Sequence, residues 1–333
     1  MPSSRLAVVA IGGNSLIADE RHQGLTDQLA AVRQTAEGIA TIVAEGWRMV
    51  VTHGNGPQVG QILLCSELAA GAVPPVPIAF AVAQTEGAIG LMVQQALGNA
   101  LRQRGLDRPV ATVITQVVVD PDDPSFQRPT KPVGPFLDRA RAESYRAELG
   151  WEVAEDSGRG WRRVVPSPHP LEIVEMPAIR ALSQAGTVVV ASGGGGIPVA
   201  RQPNGDLTPV DAVIDKDRAA ALLAVSLRAD LFVISTAVER VALSYQRPDQ
   251  VDLDWLTVEE AHRHLDAGQF PPGSMGPKVE AAASYALRTG RSAVIASPAG
   301  LPRVLTGETG TWVVPTVGVR VRRATVGVGE WRR

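Results

Sequence analysis

Short runs rich in Val and Ile punctuate the chain, and the intervals between them carry apolar residues at helical spacing. The runs Leu6–Ile11, Arg48–Thr52, Val110–Val117, Thr187–Ala191, Leu231–Ser235 and Ala293–Ala296 lack a clean apolar–polar alternation. That pattern predicts strands buried on both faces, as in a parallel sheet. Helices are predicted near 26–45, 57–70, 84–104, 170–185, 216–228, 257–267 and 277–289. Thr26, Asp215 and Thr257 are candidate N-caps, Glu260 completes a capping box with Thr257, and Pro57 and Pro277 suit a first helical turn. Strand and helix alternate along the whole length. The prediction is an α/β fold: an open, mainly parallel sheet in an α/β/α sandwich.

One stretch breaks the rhythm. Residues 120–135 hold five prolines and are expected to form neither a helix nor an inner strand. Residues 158–166 read as a short hairpin arm, so 120–166 is expected to protrude from the main sheet as a small subdomain carrying Lys131. The expected organisation is an N-terminal half, 1–185, that includes this subdomain, and a C-terminal half, 186–315. The tail 316–333, with five arginines and one acid, is expected outside the fold core.

Composition narrows the class. The 333 residues are 45% hydrophobic and 20% charged, an ordinary globular balance for one large domain or two sharing a cleft. No apolar run approaches the roughly 20 residues of a membrane span. Met1–Arg5 leads straight into the first strand with no secretory pattern, so a cytoplasmic protein is expected. The single cysteine, Cys65, excludes an internal disulfide; on an apolar helix it is expected in the core rather than as a nucleophile. A net charge of −2 gives no reason to expect a nucleic-acid partner.

The basic residues are more telling. Of 32, only Lys131, Lys216 and Lys278 are lysines. Each lies in a motif-like setting: Pro129-Thr130-Lys131-Pro132, Asp215-Lys216-Asp217 and Gly276-Pro277-Lys278. A movable point charge suits a phosphoryl group in flight, where arginine's broad fork suits other tasks. Leftover surface lysines are the plainer alternative.

Three predicted strands end in glycine turns: Gly12-Gly13-Asn14, His53-Gly54-Asn55-Gly56-Pro57 and Ser192-Gly193-Gly194-Gly195-Gly196. Glycine lets backbone N–H groups close on an anion, and three such turns suggest anionic groups gathered along the carboxyl ends of one sheet. There is no Walker-type loop. Gly54-x-Gly56-x-x-x-Gly60 has one residue too many for a dinucleotide fingerprint, and no ribose-binding acid follows. Protein-kinase loops, zinc spacings and a nucleophile elbow are also missing. Asp211, Asp215, Lys216 and Asp217 form a charged constellation at a helix mouth, able to fix lysines at an angle or help hold Mg²⁺ with phosphates; helix capping is the alternative reading. His53 is a candidate for orienting the second glycine turn.

Together these segments resemble carbamate kinase, within the amino acid kinase family. The resemblance runs through Ala10–Asn14, Thr52–Gly60, Asp123-Pro124-x-Phe126, Pro129–Phe136, Gly160–Pro168, Gly193–Pro198, Ala212–Asp217 and Gly273–Lys278, spanning about 5–315. It implies homodimers whose N-terminal half binds the small acid and whose C-terminal half binds ATP or ADP with Mg²⁺ on the phosphates. Gly12, Gly13, Asn14, Gly54 and Asn55 would hold carbamate and the transferred group. Lys131, Lys216, Asp217 and Lys278 would be catalytic, with Asp217 orienting the lysines. Gly194, Gly195, Asp215, Ser274, Met275 and Lys278 would meet the nucleotide. The implied reaction is ATP + carbamate ⇌ ADP + carbamoyl phosphate, within arginine metabolism and often run toward ATP. Two departures stand out: Thr236-Ala237-Val238-Glu239-Arg240-Val241-Ala242, where the family commonly shows Thr-Asp-Val-Asp-x-Val-Tyr, and the arginine-rich tail. Another small-acid kinase of the same family, or a nucleotide-binding relative without turnover, are the competing functions.

Overall fold

Eight strands build the main sheet of the computed structural model, which describes residues 5–12, 24–156, 158–271 and 273–315. They are β1 (Leu6–Ile11), β2 (Arg48–His53), β3 (Val110–Val113), β9 (Val188–Ala191), β12 (Leu231–Ser235), β15 (Trp255–Thr257), β16 (Ala293–Ala296) and β17 (Thr311–Val314). Their order across the sheet is β15-β17-β16-β12-β1-β2-β9-β3, parallel throughout except for the β16–β17 pair. Every residue of β1 is buried, and alternate side chains enter two different cores. Leu6, Val8 and Ala10 pack with α5 (Met176–Gln184), α6 (Lys216–Leu227) and α8 (Met275–Thr289). Ala7, Val9 and Ile11 pack with α1 (Leu25–Ala44) and α3 (Ile78–Gln103). This two-sided burial explains why the strands read as continuous apolar runs, and it is the sandwich expected.

A second sheet joins β4 (Gln116–Val119), β8 (Pro170–Ile173), β10 (Ile197–Arg201) and β11 (Leu207–Pro209) in the order β11-β10-β4-β8. The single strand expected over Val110–Val117 is therefore two: the chain leaves the main sheet after Val113 and enters the second at Gln116. Hydrophobic pattern cannot reveal a strand that changes sheets, because both pieces stay apolar. Likewise the helix expected over 170–185 begins only at Met176, with Pro177 in its first turn, after the antiparallel strand β8.

The protruding piece has its own sheet: β5 (Lys131–Leu137), β7 (Trp161–Val165) and β6 (Val153–Glu155), in that order, with α4 (Arg139–Leu149) over it. Leu137, Ala142, Tyr145, Trp151 and Val153 form its small core. The proline-rich stretch contributes β5 at the edge, where missing N–H donors cost no ladder bond. The subdomain rests on α2 (Gly56–Leu68). A Cβ on Gly60 would lie 1.9 Å from Gly134 Cα, so the backbones touch with no room for a side chain. The Arg163–Glu67 pair, 2.7 Å apart, ties the same two elements.

Helix starts follow the sequence in part. Asp215 caps α6, and Thr257 with Glu260 forms the capping box of α7 (Val258–Asp266). Thr26 does not cap α1, whose N-cap is Gly24. Helix α3 starts six residues before its expected 84, where the Ile78 N–H donates to Asp211 (3.0 Å). Cys65 is exposed rather than core: α2 buries Val59, Gly60, Leu63 and Ser66, and residue 65 falls off that face. The hairpin β13 (Val241–Leu243) and β14 (Val251–Leu253) follows β12, which puts the departing segment 236–242 at the same sheet end as the glycine turns. Residues 13–23 and the tail 316–333 lie outside the described residues. Among the described residues no helix is long and apolar enough to cross a membrane.

Candidate active site

The sheet order brings the carboxyl ends of β12, β1, β2 and β9 side by side. Gly12 N–H donates to Ser235 O (3.1 Å) and Gly54 N–H to Ile11 O (3.0 Å), so both glycines continue the ladder past the strand ends. Gly13 and Asn14 lie outside the described residues. The third turn, after β9, folds against the second. A Cβ on Gly194 (φ +67°) would lie 2.0 Å from Asn55 Nδ2, and one on Gly195 (φ +103°) 2.6 Å from Ile214 O. Only glycine meets both demands at these positions, left-handed backbone and contact without a side chain. Gly194 and Gly195 therefore sit beside Asn55 and Ile214, next to the turn expected to hold the small acid. Asn55 in turn donates through Nδ2 to Thr85 Oγ1 (2.8 Å).

His53 is buried beneath these turns, its Nδ1 3.1 Å from Gly54 O. A carbonyl only accepts, so Nδ1 carries the proton. Burial pulls the imidazole down to about 4, helped by the charge of Lys216 against the Gly54 hydrogen bond. The ring is neutral near pH 7.

All three lysines converge on two aspartates at the start of α6. Lys131 Nζ, reaching from β5, lies 2.5 Å from Asp215 Oδ2. Lys216 Nζ is 2.6 Å from Asp217 Oδ1, and Lys278 Nζ, from α8, is 3.1 Å from Asp217 Oδ2. Lys278 also donates to Ser274 O (3.2 Å), which joins the Ser274–Met275 turn to the cluster. Asp215 Oδ1 accepts from the N–H groups of Asp217 (2.9 Å) and Arg218 (3.2 Å). Both readings of Asp215 therefore hold: it caps the helix with one oxygen and holds Lys131 with the other. Asp211 is not part of the cluster, because its carboxylate serves the start of α3.

The electrostatics favour an incoming anion. Burial alone would raise Asp215, but Lys131 and Lys216 outweigh it and hold the carboxyl far below the usual range. Burial likewise opposes ionisation of Asp217, and Lys216 and Lys278 overcome it. Lys216 is pulled below the ordinary lysine value by burial, with Lys278 adding repulsion against Asp217. Three ammonium groups face two carboxylates, which leaves a positive excess for phosphate oxygens. Each carboxylate oxygen of Asp215 and Asp217 already has a partner, and no cluster of three His, Cys, Asp or Glu among the described residues could hold a metal ion.

Sequence reasoning missed the support beneath the glycine turns: Thr85, Glu86 and Thr115. One signal was available for Glu86. It falls four residues after Val82 and three before Ile89, on the buried stripe of α3, where an acid is out of place.

The sequence profile of the amino acid kinase family matches residues 5–297, and the chain belongs to that family. Within it, the chain is 48% identical over 312 residues to the carbamate kinase of Thermococcus kodakarensis, covering 92% of this chain and 98% of that one. It is 47% identical over 314 residues to the carbamate kinase-like protein YahI of Escherichia coli, covering 93% and 99%. Among solved structures, carbamate kinase from Giardia lamblia bound to AMP-PNP matches with a TM-score of 0.86 at 39% identity, over 95% of this chain and 100% of that chain.

Proposed function

We propose that the chain is a carbamate kinase that transfers a phosphoryl group reversibly between ATP and carbamate. The observation that carries the reading is the convergence of the chain's only three lysines on Asp215 and Asp217. In the ATP-forming direction, a β-phosphate oxygen of ADP attacks the phosphorus of carbamoyl phosphate. The bond from phosphorus to the carbamoyl oxygen breaks, and carbamate leaves with its electron pair. No proton moves: the attacking oxygen is already an anion, and the carbamate oxygen leaves as one. Catalysis then rests on alignment and charge neutralisation. A unit charge pair 4 Å apart is worth about 4 kcal/mol at an effective dielectric of 20, so a single ammonium carries about a thousandfold in rate.

In this reading Gly12, Gly13, Asn14, Gly54 and Asn55 hold the small acid and the transferred group. Lys131 and Lys216 neutralise it, and Asp217 orients Lys216 and Lys278. Gly194 and Gly195, packed against Asn55 and Ile214, border the transferred group on the small-acid side, and Asp215, Ser274, Met275 and Lys278 face the nucleotide. Magnesium would ride on its phosphates, since the aspartate oxygens are engaged by lysines and helix N–H groups. Its contribution would be further charge neutralisation. The family resemblance supports a cytoplasmic role in arginine metabolism. The active unit is proposed to be a homodimer: Phe80 (56% exposed) and Leu91 (54%), three turns apart on the outer face of α3, are apolar anchors suited to a second copy. A solution mass of one 35.1 kDa chain would refute the dimer.

The deciding experiment is ATP formation from ADP, Mg²⁺ and carbamoyl phosphate by the purified protein. Rapid, protein-dependent production establishes the reaction. A folded protein that binds ADP but makes no ATP would turn the reading to another small acid or to a non-catalytic binder.

A further inference from the structure

Beneath the glycine turns lies a buried carboxyl group that the proposed chemistry does not use. Glu86, on α3, is 1% exposed. Its Oε2 accepts the Thr115 N–H at 2.8 Å, while Oε1 is buried without a hydrogen-bond partner among the described residues. Thr115 sits in the gap between β3 and β4 and grips the third glycine turn at both ends. Its Oγ1 accepts the Ser192 N–H (2.9 Å), and its carbonyl accepts the Ile197 N–H (2.8 Å). Between those points Ser192 holds a left-handed φ of +55°, and Thr52 Oγ1 donates to its carbonyl at 2.7 Å. A Cβ on Gly193 would lie 2.4 Å from His53 Nε2 and 3.2 Å from Glu86 Cγ, so the turn has Glu86 and His53 directly against it.

We propose that Glu86 is a positioning residue for phosphoryl transfer: through Thr115 it fixes the 192–197 turn against Asn55 and His53, at the face that receives the small acid. The proposal rests on the kinase reading above. An acid on a buried helix stripe with one oxygen idle carries a desolvation cost that packing gives no reason to keep. A strained, buried turn at an anion site does give one, since its N–H groups work only when their direction is over-determined. Burial pushes Glu86 well above the ordinary glutamate value and the nearby charge of Glu175 adds to this, against the Thr115 N–H. That bias toward the neutral acid suits a place where a carboxylate would repel the incoming phosphoryl group.

The test uses the full chain with Glu86→Gln, Glu86→Leu and Thr115→Val. ATP formation, ADP affinity by calorimetry and amide exchange of residues 192–197 are measured in each. Glu86→Gln keeps a neutral acceptor for Thr115 and is expected to stay within about threefold of wild type in every readout. Glu86→Leu is expected to lower kcat/KM for carbamoyl phosphate by about 30-fold and speed exchange of the turn by about tenfold, with ADP affinity within about twofold. Thr115→Val, which keeps the shape, is expected to follow Glu86→Leu and carries the test if that variant does not fold. The proposal is overturned by a Glu86→Leu protein with near wild-type kinetics, by equal losses in the Gln and Leu variants, by a parallel loss of ADP affinity, or by unchanged exchange of the turn in both Glu86→Leu and Thr115→Val. Wild-type protein that makes no ATP would remove the kinase reading, and with it the catalytic part of the proposal. In that case the exchange data still decide whether Glu86 anchors the turn.

Discussion

On one side, the glycine turns after β2 and β9 present main chain, with polar side chains packed beneath them. On the other, at the mouth of α6, everything is side-chain charge: lysines from β5, α6 and α8 held by two aspartates. The first region is rigid by over-determination, with glycines in contact with Asn55 and Ile214 and a left-handed serine pinned at both faces. The second is adjustable, because each ammonium sits on a flexible stem and can pass from a carboxylate to a phosphate. A phosphoryl group in transit needs both properties. Its fixed acceptor calls for preformed donors, and its moving charge calls for cations that follow it.

The sharpest way to break this division is to remove charge from the second region alone. Lys131→Ala and Lys216→Ala are each expected to lower turnover by about a thousandfold while ADP still binds. Steady-state kinetics with ADP calorimetry checks both. Wild-type-like rates in the two variants would remove the mechanism, and loss of ADP affinity in equal measure would make the lysines binding groups only.

The first region should fail differently, through shape. Gly194→Ala forces a methyl group into Asn55 and a left-handed φ onto alanine. The expected loss in kcat/KM for carbamoyl phosphate is about 10- to 100-fold, with little change in ADP affinity. Gly205→Ala is the matched control: φ is also positive there, at +92°, but no atom of the described residues lies within 4 Å of the added Cβ. It should cost about 1 kcal/mol of stability and leave kinetics unchanged. Equal kinetic losses in the two alanine variants would show that backbone strain, not the contact with Asn55, is what matters.

The two regions were also unequally legible in the sequence. The lysines stood out because arginine fills every other basic position and because Lys131, Lys216 and Lys278 each lie in a motif-like setting. The turns were legible as glycine after apolar runs, and the main sheet was legible because strands buried on both faces are uniformly apolar. The polar support was not, apart from the out-of-place acid at Glu86 on the apolar stripe of α3. Thr85, Glu86 and Thr115 belong to a helix and to an apparent continuous strand, and only the fold brings them under Ser192 and Asn55. Val110–Val117 hid the change of sheet at Thr115 because both its pieces are apolar. Cys65 departs from the core position expected of it for a related reason: overall apolarity of α2 says less than which residues share the face of Val59, Leu63 and Ser66.

The two regions also separate by pH, not by substitution alone. His53, under the glycine turns, is held near 4 in the folded protein against an ordinary 6.5. A base whose value is lowered by folding contributes stability fully present above 6.5. That stability is lost as pH falls, because the unfolded chain takes up a proton that the folded one refuses until about 4. The slope is at most about 1.4 kcal/mol per pH unit, so about 2–3 kcal/mol is lost by pH 4.5. Asp215 and Asp217 are lowered too, but for acids the loss begins only as pH falls through their ordinary 3.8. Between pH 6.5 and 4.5 the lysine cluster is therefore silent and His53 is not. Denaturant unfolding of wild type and His53→Gln across that window should show wild type losing the larger share, and Glu86, common to both proteins, cancels in the difference. Parallel curves would mean that His53 carries a proton in the folded state, and that the first region is not the neutral platform on which the comparison depends.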